Sequence, residues 1–370
     1  MSDHPREEKR IMEKIFICND ILLDSLPLCG HAKIGLEFAV VSDRFDVVVD
    51  THLKRRKWKL GSLRIERSNT NDGAEIVKCN SDKTVKRLPI PLTALPPNVI
   101  GFKRIAVYHI NRKVIAFLHR IRRLFATEIT LELAIFFRQS QSWDVLTYGI
   151  WPALNPAGIV KIRFHNINNV TALQTHISPT ILHDCANLRS IDVNHIYRPL
   201  TGQIGDEFSG ADTPDDQALY EWLSTPREDG RPKLLKTYFS RSDVNWTAQM
   251  KTKFQNATVP VNFYICCIDM IRLRPHVQED PPFTMMNWQT NEQLALRRGV
   301  KQNCWQFERG PIERNAKQWA EWEHEAAQDT NNNASWNVLT IWVQENSVEQ
   351  ECLAEVLPEN NEWKQSCAIS

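Results

Sequence analysis

Apolar residues first fall into register at Ile21, Leu22, Leu23 and Leu26, behind Asn19-Asp20 and ahead of Pro27 and Gly30. Side-chain oxygens before such a run accept from the first unpaired helix amides, and proline and glycine end the helix. A second set, Leu36, Phe38, Val40, Val41, Phe45, Val48, Val49 and Leu53, recurs at helical spacing, with Asp43, Arg44, Asp46 and Asp50 between. That pattern predicts an amphipathic helix with a broad apolar stripe, so residues 15–58 are expected to be helical.

The period then changes. Leu63 and Ile65 alternate with polar neighbours, and Asn69-Thr70-Asn71-Asp72-Gly73 carries turn chemistry before Ala74 to Val77. A β-hairpin is expected, followed by a Pro-rich linker through prolines 89, 91, 96 and 97, so that 59–98 forms one segment. From Ile100 short apolar strands alternate with helices. The strands centre near Ile105, Leu131, Ile162, Ile191, Leu235 and Phe263; helices are expected through Val114 to Leu124 and after Thr213-Pro214-Asp215-Asp216.

Several strand intervals of about 26 to 31 residues match the unit of a leucine-rich-repeat or related α/β solenoid. A compact α/β sandwich is the alternative, and Thr201 to Asp212 reads as a loop insertion. A last β/α unit is expected over 276–345, with strands at Thr284 to Trp288, Leu294 to Leu296, Trp305 to Phe307 and Val338 to Val343. The last of these is expected to alternate in exposure, and a helix carries Trp319, Trp322 and Ala326. Residues 346–370 form a polar, acidic tail. The expected fold class is thus α+β or α/β: N-terminal helices, a strand-helix repeat over 99–275 and a small β-rich C-terminal unit.

Composition narrows the partners. Net charge is +1, with 42% hydrophobic and 24% charged residues, as in an ordinary globular protein. A phosphate-backbone reader concentrates basic charge, so no nucleic-acid partner is expected, and the run His52 to Lys57 reads as a solvated helix end. The first ten residues are polar, and no apolar run approaches the ~20 residues that span a bilayer. Nine cysteines lie scattered without a Cys-x-x-Cys pair, which points to a reducing cytoplasmic or nuclear setting.

Enzymatic signatures are missing from the sequence. There is no phosphate-binding glycine loop. His324-Glu325 has Gln328 where a zinc helix needs its second histidine, and His183 and Cys185 stand two apart, on different faces of a helix. Asp212, Asp215 and Asp216 lack calcium-loop spacing and read as capping residues. No catalytic residue, metal or cofactor is expected, and the chain reads as a protein-binding protein.

The N-terminal segment resembles a divergent F-box. Asn19-Asp20-Ile21-Leu22-Leu23 stands at its first helix, Val41-Ser42-Asp43-Arg44-Phe45 at its second, and Leu53 with Trp58 near its end. The leading Leu-Pro of the pattern is absent, and Phe45 replaces a common Trp. The wider chain resembles an F-box-like family expanded in plant-parasitic nematodes. Ser42-Asp43-Arg44-Phe45-Asp46, Arg87-Leu88-Pro89-Ile90-Pro91, Val99-Ile100-Gly101-Phe102-Lys103, Ile121-Arg122-Arg123-Leu124-Phe125, Pro260-Val261-Asn262-Phe263 and Gly310-Pro311-Ile312 carry that likeness.

The resemblance implies an adaptor that joins a target protein to a Skp1-cullin ubiquitin ligase, with Ile21, Leu22, Leu26, Val41, Phe45, Leu53 and Trp58 as Skp1-facing anchors. Periodicity alone fits a second reading, in which these residues are the core of a helical cap. The terminal Cys367-Ala368-Ile369-Ser370 fits the C-a-a-X signal, with Ser favouring farnesyl. With only Lys364 upstream, one such chain gives weak, reversible membrane attachment.

Overall fold

The structure is a computed structural model. It describes residues 17–26, 41–55, 57–69, 73–79, 85–135, 140–165, 168–193, 214–239, 244–269, 281–299, 304–328, 337–344 and 347–349. The chain divides into two compact units, 1–59 with 96–100, and 60–95 with 101–370.

In the first unit, helix α1 spans Asn19–Ser25 and α2 spans Asp43–Arg55. Leu26, Val48 and Val49 form a small core, with Leu22 and Leu23 packed against it. The expected cap takes a different form. Cys18 occupies the N-cap with no side-chain bond, and the Asn19 side-chain oxygen Oδ1 accepts instead from Arg44, from Nε at 3.0 Å and Nη2 at 2.9 Å. Arg44 Nη2 also donates to the Ile17 carbonyl, so one guanidinium ties the start of α2 to the start of α1.

The second unit is built on a mixed sheet. Its strands are β1 Trp58–Arg67, β2 Ala74–Cys79, β3 Val85–Pro89, β4 Val99–Val107, β5 Ile129–Ile135, β6 Ile159–Phe164, β7 Ser190–Val193, β8 Lys233–Phe239, β9 Phe263–Asp269, β10 Phe283–Asn287, β11 Glu292–Arg298, β12 Cys304–Pro311 and β13 Val338–Val343. The order is β10-β11-β12-β9-β8-β7-β6-β5-β13-β4-β1-β2-β3. From β4 through β13 and β5 to β9 the neighbours are parallel; β12, β11 and β10 extend the sheet antiparallel, and beyond β4 the strands β1, β2 and β3 pair antiparallel with one another. The expected hairpin is the β1–β2 pair, with Ile65 opposite Ile76.

Between the strands run α3 Arg112–Arg120, α4 Ser140–Asp144 continuing into a π-helical turn Val145–Ile150, α5 Asn168–His176, α6 Ile181–Asp184, α7 Pro214–Leu223, α8 Val244–Gln255 and α9 Ala316–Gln328. Strands β5 to β9 step one way in sequence order with a helix in every connection, the order in which right-handed crossovers cover one face. Helix α5 packs on β5 and beside α4 and α7. Beneath this layer a single row crosses eight strands: Ile105, Leu339, Leu131, Ile162, Ile191, Leu235, Ile265 and Phe307 are successive register partners, all buried. Each such side chain contributes roughly 1.5–3 kcal/mol on leaving water.

Two expectations change here. The unit expected over 276–345 is not set apart: β12 pairs with β9, and β13 enters the interior of the sheet between β4 and β5. Strand β13 is also buried on both faces except at Trp342, rather than alternating. Val338-Leu339-Thr340-Ile341-Trp342-Val343 is nearly continuous in apolar residues, as suits a strand with parallel neighbours on both sides. Asn337 sets it in place. At φ +56° it donates its amide to the Phe102 carbonyl and accepts the Phe102 amide on Oδ1, while its carbonyl accepts from Thr130.

Candidate functional site

One residue along from the aliphatic row, the same registers align Thr340, Glu132, Arg163, Asp192, Lys236, Cys266 and Gln306 on the opposite face. Alternation in a strand makes this inevitable, since the residue after a buried aliphatic points the other way. Glu132 is its centre. Its Oε2 pairs with Arg104 Nη1 at 2.6 Å and accepts from Thr340 Oγ1 at 2.6 Å; its Oε1 pairs with Arg163 Nη1 at 2.7 Å. Arg104 Nη1 also donates to Thr340 Oγ1, 2.9 Å away, and Arg163 Nε lies 3.7 Å from Asp192 Oδ2. Burial pushes the Glu132 carboxyl up, but the bonds from Thr340 and Arg163 and the charge and hydrogen bond of Arg104 outweigh it, and the group sits below the usual carboxylate range.

Two residues further along the strands an aromatic group stands beside this network. Trp342 is the register partner of Ala134, and the His165 ring lies edge-on to Trp342 at 5.3 Å. Tyr108 meets the other side of Trp342 at 6.3 Å and is exposed. Burial holds His165 below its ordinary value; Glu132 and Asp192 pull it up, and Arg163 and Arg104 oppose them. The imidazole is therefore neutral at physiological pH.

The same face is closed at its other end by α9. Trp319, Trp322 and Ala326 pack against Leu234 and Tyr264. Trp319 Nε1 donates to Glu308 Oε1 at 2.7 Å, Arg314 pairs with the same carboxylate, and the Arg314 guanidinium lies 4.5 Å from the Trp319 ring centre. Gly310 permits this fit, since a Cβ there would run into the Trp319 ring. Arg189 grips Glu325 with two bonds of 2.6 and 2.8 Å. Burial and the nearby Glu308 and Glu323 carboxylates push the Tyr264 hydroxyl well above its ordinary range.

In the first unit, Ile21 is 58% exposed and Val41 65% exposed, whereas Leu22 and Phe45 are half-buried and Leu26 is buried. Ile17 and Val47, not among the expected anchors, are exposed as well. Trp58 is half-buried at the start of β1. Leu53 belongs to α2, but its side chain, like Cys367, lies outside the described residues.

Sequence reasoning missed the sheet network, although a signal was present: Glu132, Arg163, Asp192 and Lys236 each directly follow an expected strand centre. The candidate pair His183 and Cys185 is not assembled as a nucleophile. Burial, with Asp184 adding, pushes the Cys185 thiol up to about 12, and His183 Nδ1 faces Thr225 Oγ1 at 3.3 Å. Among the described residues no group of three or more His, Cys, Asp or Glu is arranged to hold a metal, and no helix is long and apolar enough to cross a membrane. Comparison with protein-family models, curated proteins and solved structures gives no match.

Proposed function

We propose that this protein is a non-catalytic adaptor of the F-box type, joining a Skp1-like subunit of a cullin ubiquitin ligase to a target protein. In this reading α1 and α2 dock on the Skp1-like partner. Strands β5 to β9 act as an irregular α/β repeat whose polar face meets the target, as the strand faces of solenoid proteins do. The protein then works in the cytoplasm or nucleus.

The observation that carries the reading is in the helix pair. Its core is already filled by Leu26, Val48 and Val49, and Arg44 fastens its helices, yet Ile21 and Val41 remain apolar and exposed. Exposed anchors on short, fastened helices are what a helix-in-groove interface uses. The burial of Leu26 favours the second reading, a helical cap within a structural or signalling interaction protein.

Co-purification from a eukaryotic host separates the two. Wild type recovers a Skp1-like protein and a cullin, and Ile21→Asp/Val41→Asp loses both while keeping its circular dichroism. If wild type recovers them no better than the variant, the adaptor reading fails.

A further inference from the structure

We propose that Cys266 and Cys304 form an oxidation site, a pair of thiols that a hydroperoxide converts into a cross-strand disulfide joining β9 to β12. The pair plays no part in the adaptor reading and stands or falls apart from it.

Register brings the two sulfurs together. Cys266 lies opposite Gln306 and Cys304 opposite Ile268, so the cysteines are diagonal neighbours on adjoining antiparallel strands and point to the same face. Diagonal partners stand roughly 7 Å apart at Cα, near the outer limit of disulfide geometry. Here the side chains close that gap, for both residues carry thiols and the two share a hydrogen bond. Gly299 lies against the Cys304 sulfur, where a Cβ would crowd it, so the sulfur has room to shift. Both cysteines are half-buried, which suits attack by a molecule as small as a peroxide, whereas Cys185 and Cys267 are buried. Cys267, although next in sequence, is opposite Trp305 and faces the other side of the sheet.

The hydrogen bond also divides the roles. The bond to Cys304, with burial adding, holds the Cys266 thiol well above its ordinary range, while the nearby Lys236 charge opposes them. Cys266 therefore keeps its proton and offers it to Cys304, whose sulfur is the one left to act as nucleophile. That sulfur attacks one peroxide oxygen, the O–O bond breaks, and a sulfenic acid forms as the first water leaves. The Cys266 sulfur then attacks the Cys304 sulfur; the S–O bond breaks, and its oxygen departs as water with the Cys266 proton. The two sulfurs give up two electrons and two protons in all, and the peroxide is reduced to two waters. The new bond crosses the seam at which β12, β11 and β10 join the parallel strands, and it staples that antiparallel edge in place.

The test uses the reduced full chain, treated with hydrogen peroxide, quenched with iodoacetamide and digested with trypsin without reductant. Mass spectrometry should find Phe254–Arg272 linked to Gln302–Arg309 with the loss of two hydrogens, and dithiothreitol should release the link. The first peptide holds both Cys266 and Cys267, so variants settle which one is joined. Cys266→Ser and Cys304→Ser should each abolish the link, and Cys267→Ser should keep it. Mapping the wild-type chain needs no variant, so the test stands even where a substitution fails to fold. Recovery of Cys304 as sulfinic or sulfonic acid without the link overturns the proposal, as does Cys304 that stays fully alkylated, or a link that survives in Cys266→Ser. In the oxidised protein, amide hydrogen exchange across 283–311 should slow by about threefold or more. Unchanged exchange there overturns the staple.

Discussion

The two faces of the central sheet differ by a single step along each strand, yet they are held together in different ways. On one face Ile105, Leu339, Leu131, Ile162, Ile191, Leu235, Ile265 and Phe307 form a row in which every neighbour offers the same kind of contact. On the other, Glu132 accepts from Thr340 and Arg104 on one oxygen and from Arg163 on the other. Dispersion and burial are non-directional, so the first row tolerates exchange of similar shapes. Hydrogen-bonded charges are specific, and loss of one partner strands the others.

The largest expected effect tests the aliphatic row. Leu131→Ala should cost about 2–5 kcal/mol in urea unfolding, and Leu131→Ile less than about 1.5 kcal/mol. An isoleucine as costly as alanine would mean that this face, too, depends on detailed shape. Next comes Glu132→Gln, nearly the same size, which should cost about 1–3 kcal/mol because its donors lose a charged acceptor. Its folded-state carboxyl sits below the ordinary value, so its stabilisation is present above the unfolded value near 4.5 and fades as pH falls toward the folded one. Acid titrations followed by circular dichroism should be flatter for the variant.

The smallest effect concerns a cation on the apolar face. Lys233 is buried, donates to the Trp222 carbonyl, and is brought down to about 8 by burial, with Arg227 adding. Between that value and 10.5 the unfolded chain holds the proton and the folded one has released it, so stability should rise with pH across this window. Thermal melts of Lys233→Met should lack that rise.

The aliphatic face was largely legible in the sequence. Five of the six strand centres expected from pattern alone, Ile105, Leu131, Ile162, Ile191 and Leu235, prove to be members of one row; the sixth, Phe263, lies two residues from Ile265. Local periodicity reports burial, and burial fixes which residues face the helices. The polar face was legible only as letters. That Glu132 follows Leu131 is visible; that it meets Arg104 and Thr340 depends on β13 lying between β4 and β5, a pairing between distant segments that no local pattern encodes. Asn19 shows the same limit on a smaller scale, a capping residue by type whose oxygen is taken by Arg44 from another helix.

The late arrival of β13 has a consequence for synthesis. As the chain leaves the ribosome, β4 and β5 are made early, yet the strand that joins them is translated some two hundred residues later. Until then each presents an unpaired edge of amides and carbonyls, the surface on which nascent chains stick to one another. The last strand to leave the ribosome therefore closes the sheet, and translation stopped before Asn337 would leave both of those edges without the partner they have in the finished fold.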